Sequence, residues 1–214
     1  MSKLVLLGLK ISVYTRIARL VLEEKNIDYE LTEVDIFDDG GPPDDYLCKN
    51  PFGHIPSLLH GDYCLYETTA ISKYLDGISS HPPLQPKGLK QRARMNQIVS
   101  VLDSYAYKLM VWNVFVERII VPKEGGIPDE AVIAKALEPI STVLNELSAW
   151  LDDREFLVGN SITIADLHAF PMILYFSKAP EGAKMIAAFQ NIQQWLFRMI
   201  ERPSAVNTRS KHDC

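Results

Sequence analysis

The apolar run Leu4-Val5-Leu6-Leu7 near the start of the chain reads as a buried strand. Ser12 then offers a helix N-cap, and apolar residues at Val13, Ile17, Leu20 and Val21 mark one face of a helix ending near Lys25-Asn26. Tyr29 to Ile36 reads as a second strand, with looser alternation. Strand, crossover helix and strand in this order predict a parallel βαβ unit. Asp38 to Pro43 is a turn cluster. Ile55 to Leu59 and Tyr63 to Leu65 predict two short strands, and Gly61-Asp62 between them predicts a hairpin. A helical pattern runs from Glu67 to about Asp76.

The pattern changes after Gly77. Gly77 to Gly88 is rich in proline, serine and glycine and reads as a linker. Beyond it the periodicity is helical. Ile98, Leu102, Tyr105, Leu109, Trp112, Val116 and Ile119 form one stripe, and Ile133, Leu137, Ile140, Leu144, Leu147 and Leu151 form another. The loop from Pro122 to Pro128 makes them an antiparallel pair in a bundle. Pro139 is expected to kink or interrupt the second stripe, because an interior proline costs about 3 kcal/mol. Further helices are expected over Ile164 to Phe176 and Ile192 to Ile200, with a tail from Pro203. The reading is an α/β domain over residues 1–77, a linker over 78–88 and an all-helical domain over 89–214.

Composition narrows the classes. The 214 residues are 47% hydrophobic and 23% charged, which excludes a disordered chain or a coiled-coil rod. The net charge of −5 and the lack of a Lys/Arg block argue against nucleic acid as a partner. No apolar run is long enough to span a membrane, and Leu4 to Leu7 is too short for a signal-peptide core. Cys48, Cys64 and Cys214 show no paired spacing, so no disulfide framework is expected and a soluble cytoplasmic protein is. Cys48 and Cys64 are expected to be small buried residues. His54 and His60 lie near these cysteines, but without metal-ligand spacing, so no metal site is expected.

Three segments carry chemistry. Ser12 follows a strand and starts a helix, where free N–H groups and the helix dipole favour an anion such as a thiolate. A plain N-cap, for which Ser is a preferred residue, is the alternative. Asn50-Pro51-Phe52-Gly53-His54-Ile55-Pro56 sets a proline at the start of an apolar strand. A cis bond there would aim the Ile55 main chain outward to meet an extended peptide beside His54; the alternative is an edge-strand proline and a solvated histidine. Glu67-Thr68 opens a helix. Such an N-terminus suits a carboxylate and the Glu suits an ammonium, so the pair suits an α-amino acid head group; an ordinary capped helix is the alternative.

Taken together these segments resemble the glutathione transferase family, over nearly the whole chain. Asn50 to Pro56 is similar to its "N-P-x-G-x-V-P" stretch, which holds a cis-proline. Tyr66-Glu67-Thr68-Thr69-Ala70-Ile71 with Tyr74-Leu75 is similar to its "E-S-x-A-I-x-x-Y-L" stretch. Gly159-Asn160-Ser161-Ile162-Thr163-Ile164-Ala165-Asp166 is similar to its "G-x-x-x-T-x-A-D" signature, in which Thr163 and Asp166 have the spacing of a capping box and a folding role.

The resemblance implies a thioredoxin-like N-terminal domain, an all-α C-terminal bundle and glutathione as co-substrate. It implies that Ile55, beside Pro56, pairs with the cysteinyl unit, that Glu67 and Thr68 hold the γ-glutamyl end, and that His54 lies near the glycyl side. Ser12 falls where the Ser-type classes place the hydroxyl that contacts the thiol. Val13 stands where proline often follows, and Tyr14 is the alternative donor. The thiolate would attack a small hydrophobic electrophile held between the domains. Tyr107, Met110, Val111 and Phe115 are candidates for that pocket, whereas Tyr105 and Trp112 lie on the heptad seam and are expected in the core. The resemblance also implies a homodimer acting in detoxification. A non-catalytic module of the same fold, or a related glutathione-dependent isomerase, dehalogenase or peroxidase, are the alternatives.

Overall fold

A computed structural model describes residues 3–38, 40–79 and 81–213. Cys214 therefore lies outside the described residues. The chain forms two compact units, residues 1–84 with 202–214, and residues 85–201.

The first unit contains β1 (Leu4–Leu7), α1 (Val13–Glu24), β2 (Glu30–Thr32), α2 (Asp44–Leu47), β3 (Ser57–His60), β4 (Tyr63–Tyr66) and α3 (Thr68–Ile78). The sheet order is β2-β1-β3-β4. β1 and β2 are parallel, while β3 runs antiparallel to both β1 and β4. This is the mixed sheet expected of a βαβ unit followed by a hairpin. Side chains alternate across β1. Leu6, with Leu58, is fully buried on one face. Leu7 packs on the other, with Tyr46, Ile55, Val34 and Ile36.

β2 is shorter than the loose alternation suggested. Val34 and Ile36 pack as irregular backbone against that second cluster and not as ladder residues. α2 is a single turn that the Asp38–Pro43 turn cluster did not announce. Cys48 and Cys64 are exposed free thiols, against the expectation of burial. Cys64 lies on β4, whose first two positions face solvent.

The second unit begins with α4 (Leu89–Val101), which runs on into π-helical turns over Leu102–Ala106 and Lys108–Ile120. There the Tyr107 N–H donates to Leu102 O and the Val121 N–H to Val116 O, five residues back. α5 (Val121–Lys123) ends the stretch, and α6 (Glu130–Leu151), α7 (Ile164–Lys178), α8 (Pro180–Ile186) and α9 (Gln190–Ile200) follow. α6 continues through Pro139, so no interruption occurs there. Every residue of α7 from Ile164 to Phe176 is buried, which makes α7 the centre of this unit. Among the described residues no helix is long and apolar enough to cross a membrane.

The wide π turn changes which face is inside. A 3.6-residue period puts Tyr105 and Trp112 on the seam with Leu102. The structure leaves Tyr105 64% and Trp112 40% exposed. Leu102, Ala106, Met110, Val111, Val114 and Phe115 are buried in their place. Their spacing of four to five residues is that of i→i+5 hydrogen bonding.

The last element, α10 (Pro203–Asn207), and the residues up to Asp213 belong with the first unit, not with the helical one. They pack on α1 through the polar contacts described below.

Candidate functional site

Register places the three chemistry-bearing segments together. Leu7 pairs with Ser57, and Ser57 pairs with Tyr66. The end of β1, the start of β3 and the end of β4 therefore form one edge of the sheet. Neighbouring strands lie about 5 Å apart. The Gly8–Ser12 loop, the Ile55–Pro56 bond and the Glu67–Thr68 helix start all leave the sheet at that edge.

Ser12 is the N-cap of α1, with φ −68° and ψ 128°. Its Oγ accepts from the Thr15 N–H at 3.3 Å. A hydroxyl whose oxygen is engaged in this way retains its own proton for donation. Gly8, at the end of β1, lies against α1: a Cβ there would be 2.4 Å from Thr15 Oγ1. Only glycine lets strand and helix approach this closely. Tyr14 is half-buried in the first turn of α1.

The Ile55–Pro56 bond is cis. The β1–β3 ladder ends at Ser57, so the main chain of Ile55 lies beyond its last rung. His54 is exposed and Ile55 is buried. Buried Tyr46 holds this segment: its hydroxyl donates to the His54 carbonyl at 2.6 Å and lies 2.9 Å from Ser57 Oγ. Asn50 Nδ2 donates to the same carbonyl at 2.7 Å, and Asn50 Oδ1 accepts from the Phe52 N–H at 3.1 Å. Burial pushes the Tyr46 hydroxyl's pKa up, so it stays a donor. Gly53 turns the loop at φ +65°.

Glu67 is exposed and adopts φ +69°, ψ 112°, an uncommon conformation for a side-chain-bearing residue. Such strain marks functional turns. Thr68 is the first residue of α3 and is 7% exposed, so the free N–H groups of the helix start follow directly on Glu67 in the chain.

The pocket candidates of the second unit fall differently. Met110, Val111 and Phe115 are buried, and Phe115 stacks on Tyr175 with ring centres 4.7 Å apart. They are packing residues in the stripe set by the π turns, which reverses the face assigned from heptad spacing. Tyr107 is half-buried, and its hydroxyl accepts from Trp112 Nε1 at 3.0 Å.

Thr163 and Asp166 form the capping box at the start of α7. Tyr46 and Asn50 are the site residues that sequence reasoning did not assign. The signal was present in Asn50, inside the quoted motif, but Tyr46 lies in a one-turn helix without a pattern.

The sequence profile "Glutathione S-transferase, N-terminal domain" matches residues 6–83, and "Glutathione S-transferase, C-terminal domain" matches residues 111–203. A rice (Oryza sativa subsp. japonica) protein named probable glutathione S-transferase GSTF1 is 31% identical over 195 residues, covering 89% of this chain and 89% of that protein. The chain belongs to the glutathione S-transferase family. The apo structure of glutathione S-transferase III superposes with a TM-score of 0.85 at 30% identity, covering 97% of this chain and 95% of that one. Glutathione S-transferase I from maize, in complex with an atrazine glutathione conjugate, gives 0.84 at 27% identity, covering 97% and 96%.

Within that family fold, Tyr46 and Asn50 are positioning residues for the segment before Pro56. Tyr46→Phe is expected to raise KM for glutathione about fivefold to tenfold with kcat little changed, since a lost hydrogen bond is worth about 1 kcal/mol and acts on binding. Steady-state kinetics with glutathione as the varied substrate checks this.

Proposed function

We propose that this chain is a glutathione transferase that binds glutathione along the open edge of its sheet and activates the thiol for attack on a hydrophobic electrophile. The observation that carries the reading is the convergence of the Ser12 cap, the Ile55–Pro56 segment and the Glu67–Thr68 helix start at one sheet edge. Membership of the family, with relatives whose structures hold glutathione conjugates, supports it. Glu67 takes the α-ammonium of the γ-glutamyl unit, and the Thr68 end of α3 takes its carboxylate. The Ile55 main chain pairs with the cysteinyl unit beside Pro56, and exposed His54 faces the glycyl end.

A Ser-type mechanism follows. Only the thiolate of glutathione attacks, and a free thiol titrates near 8.5. The Ser12 hydroxyl and the free N–H groups of the first turn of α1 stabilise the charged form and lower that value. The thiolate then bonds to an electrophilic carbon, and the leaving group, such as halide, departs with the electron pair. Tyr14 is the second candidate donor. For the electrophile side, Tyr107 is the one of the four named residues that is not buried. On the family resemblance, the reading is completed by a cytoplasmic homodimer with a detoxifying role.

Retention on immobilised glutathione together with conjugation of a generic aryl halide is the expected result. A folded protein with neither property would be a non-catalytic module, and the reading would fail.

A further inference from the structure

α1 carries a row of polar residues at Arg16, Arg19, Glu23 and Glu24, one face of a helix. Arg16 and Arg19 are buried, at 1% and 6% exposure. The chain's last segment covers them. Arg202 Nε and Nη2 grip Glu24 at 2.7 Å each, and Ser204 Oγ donates to the same carboxylate at 2.5 Å. Asn207 Nδ2 donates to Glu23 at 2.9 Å. Arg19 donates to the carbonyls of Thr208 and Asn207 at 3.1 and 3.2 Å, and its Nε to Tyr29 Oη at 3.3 Å. Nearest the start of α1, Arg16 donates to both oxygens of Asp213 at 2.8 and 2.7 Å, and to the Ala205 carbonyl at 3.4 Å. The Asp213 side chain is 9% exposed, and its Oδ1 also accepts from the Ser210 hydroxyl at 3.1 Å.

Arg16 lies one turn from the thiol-activating position. Its main-chain N–H donates to Ser12 O at 2.9 Å, the first hydrogen bond of α1. A planar, two-bond grip on a buried guanidinium fixes direction as well as distance. We propose that Asp213 is a positioning residue for the thiol chemistry, holding the first turn of α1 so that the Ser12 hydroxyl and the helix N–H groups point at the bound sulfur. The proposal rests on the Ser12 reading above.

Removing Asp213 has two effects of opposite sign. If the pair positions α1, loosening it misaligns the donors and the bound thiol becomes harder to ionise. If Asp213 only neutralises Arg16, its removal bares a positive charge near the sulfur and the thiol becomes easier to ionise. Ultraviolet titration of the enzyme-bound thiolate separates them. In Asp213→Asn the thiol pKa is expected to rise by about one unit, and kcat/KM on the acid side of that titration to fall about tenfold. KM for glutathione should stay within about twofold. Asp213→Glu should restore most of the loss. Should Asp213→Asn fail to fold, Arg16→Lys keeps the charge, loses the two-bond geometry and is expected to shift the titration the same way.

In a Ser12→Ala background the Asp213→Asn change should cost clearly less than in the unaltered chain, because part of its effect runs through the Ser12 hydroxyl. A thiol pKa that falls or stays put, or a loss that simply adds to that of Ser12→Ala, overturns the proposal while leaving the Ser12 reading intact. Full activity in Ser12→Ala alone overturns both.

Discussion

Ser12→Ala is expected to lower kcat/KM for conjugation about 10- to 30-fold at neutral pH, the thiolate fraction lost as the bound thiol's pKa moves toward the free value near 8.5. The loss should not be total. The free N–H groups at the start of α1 still face the sulfur, and the helix dipole still adds about half a positive charge there. The deficit should also shrink as pH rises. Without the hydroxyl, the bound thiol's pKa moves up toward the free value near 8.5, so the active fraction is reached at higher pH. A pH profile of kcat/KM whose rising limb moves to alkaline pH is the expected signature. A uniform drop at all pH values would mean that Ser12 does not act through ionisation.

Ser12 has a second role that must be kept apart from the first. Its Oγ accepts from the Thr15 N–H, and losing such a cap costs about 1 kcal/mol of stability. Ser12→Thr keeps both the cap and a hydroxyl, so it should hold stability and much of the activity. Ser12→Ala should lose a few degrees in Tm and far more in rate. If instead Tyr14→Phe abolishes turnover and Ser12→Ala does not, Tyr14 is the donor.

The parts of this fold written in local pattern were legible. β1 was an uninterrupted apolar run, α1 a capped periodic stretch, and the β3–β4 hairpin a pair of apolar segments around Gly61-Asp62. What failed was set by non-local or unusual geometry. The heptad reading assumed 3.6 residues per turn, and the i→i+5 bonding from Leu102 onward moved Met110, Val111 and Phe115 inward and Tyr105 and Trp112 outward. Val34 and Ile36 looked like strand residues, yet they serve the Leu7–Tyr46–Ile55 cluster without pairing in the sheet. The burial of Arg16 and Arg19 has no local signal, because their partners lie almost two hundred residues along the chain. The Ser12, Ile55–Pro56 and Glu67–Thr68 segments could be named singly. Only the Leu7–Ser57–Tyr66 register sets them on one edge.

The largest stability effect is expected at Asp166, which touches none of this chemistry. It is fully buried and accepts four hydrogen bonds. Oδ1 takes the Leu157 N–H at 2.8 Å and Trp195 Nε1 at 3.0 Å, and Oδ2 takes the Thr163 N–H at 2.9 Å and the Thr163 hydroxyl at 2.8 Å. Burial pushes its pKa up, and these four donors pull the other way. The carboxylate ties the loop before α7 to the start of α7 and to α9, so one side chain joins three parts of the helical unit. Asp166→Ala would strand buried N–H groups that nothing else can satisfy, each costing about 1–3 kcal/mol. A destabilisation of about 4–5 kcal/mol is expected, near the upper end for single substitutions. For a protein of this size that is a fall of about 10–15 °C in Tm. Asp166→Asn should cost about half as much, because its amide oxygen can accept from Oδ1's two donors and its NH2 can donate to the Thr163 hydroxyl oxygen once that hydroxyl rotates, leaving only the Thr163 N–H opposed. Calorimetry on the two variants checks the ranking. At a temperature where both are folded, their KM for glutathione should match that of the unaltered chain, since Asp166 acts on the helical unit and the glutathione edge belongs to the sheet.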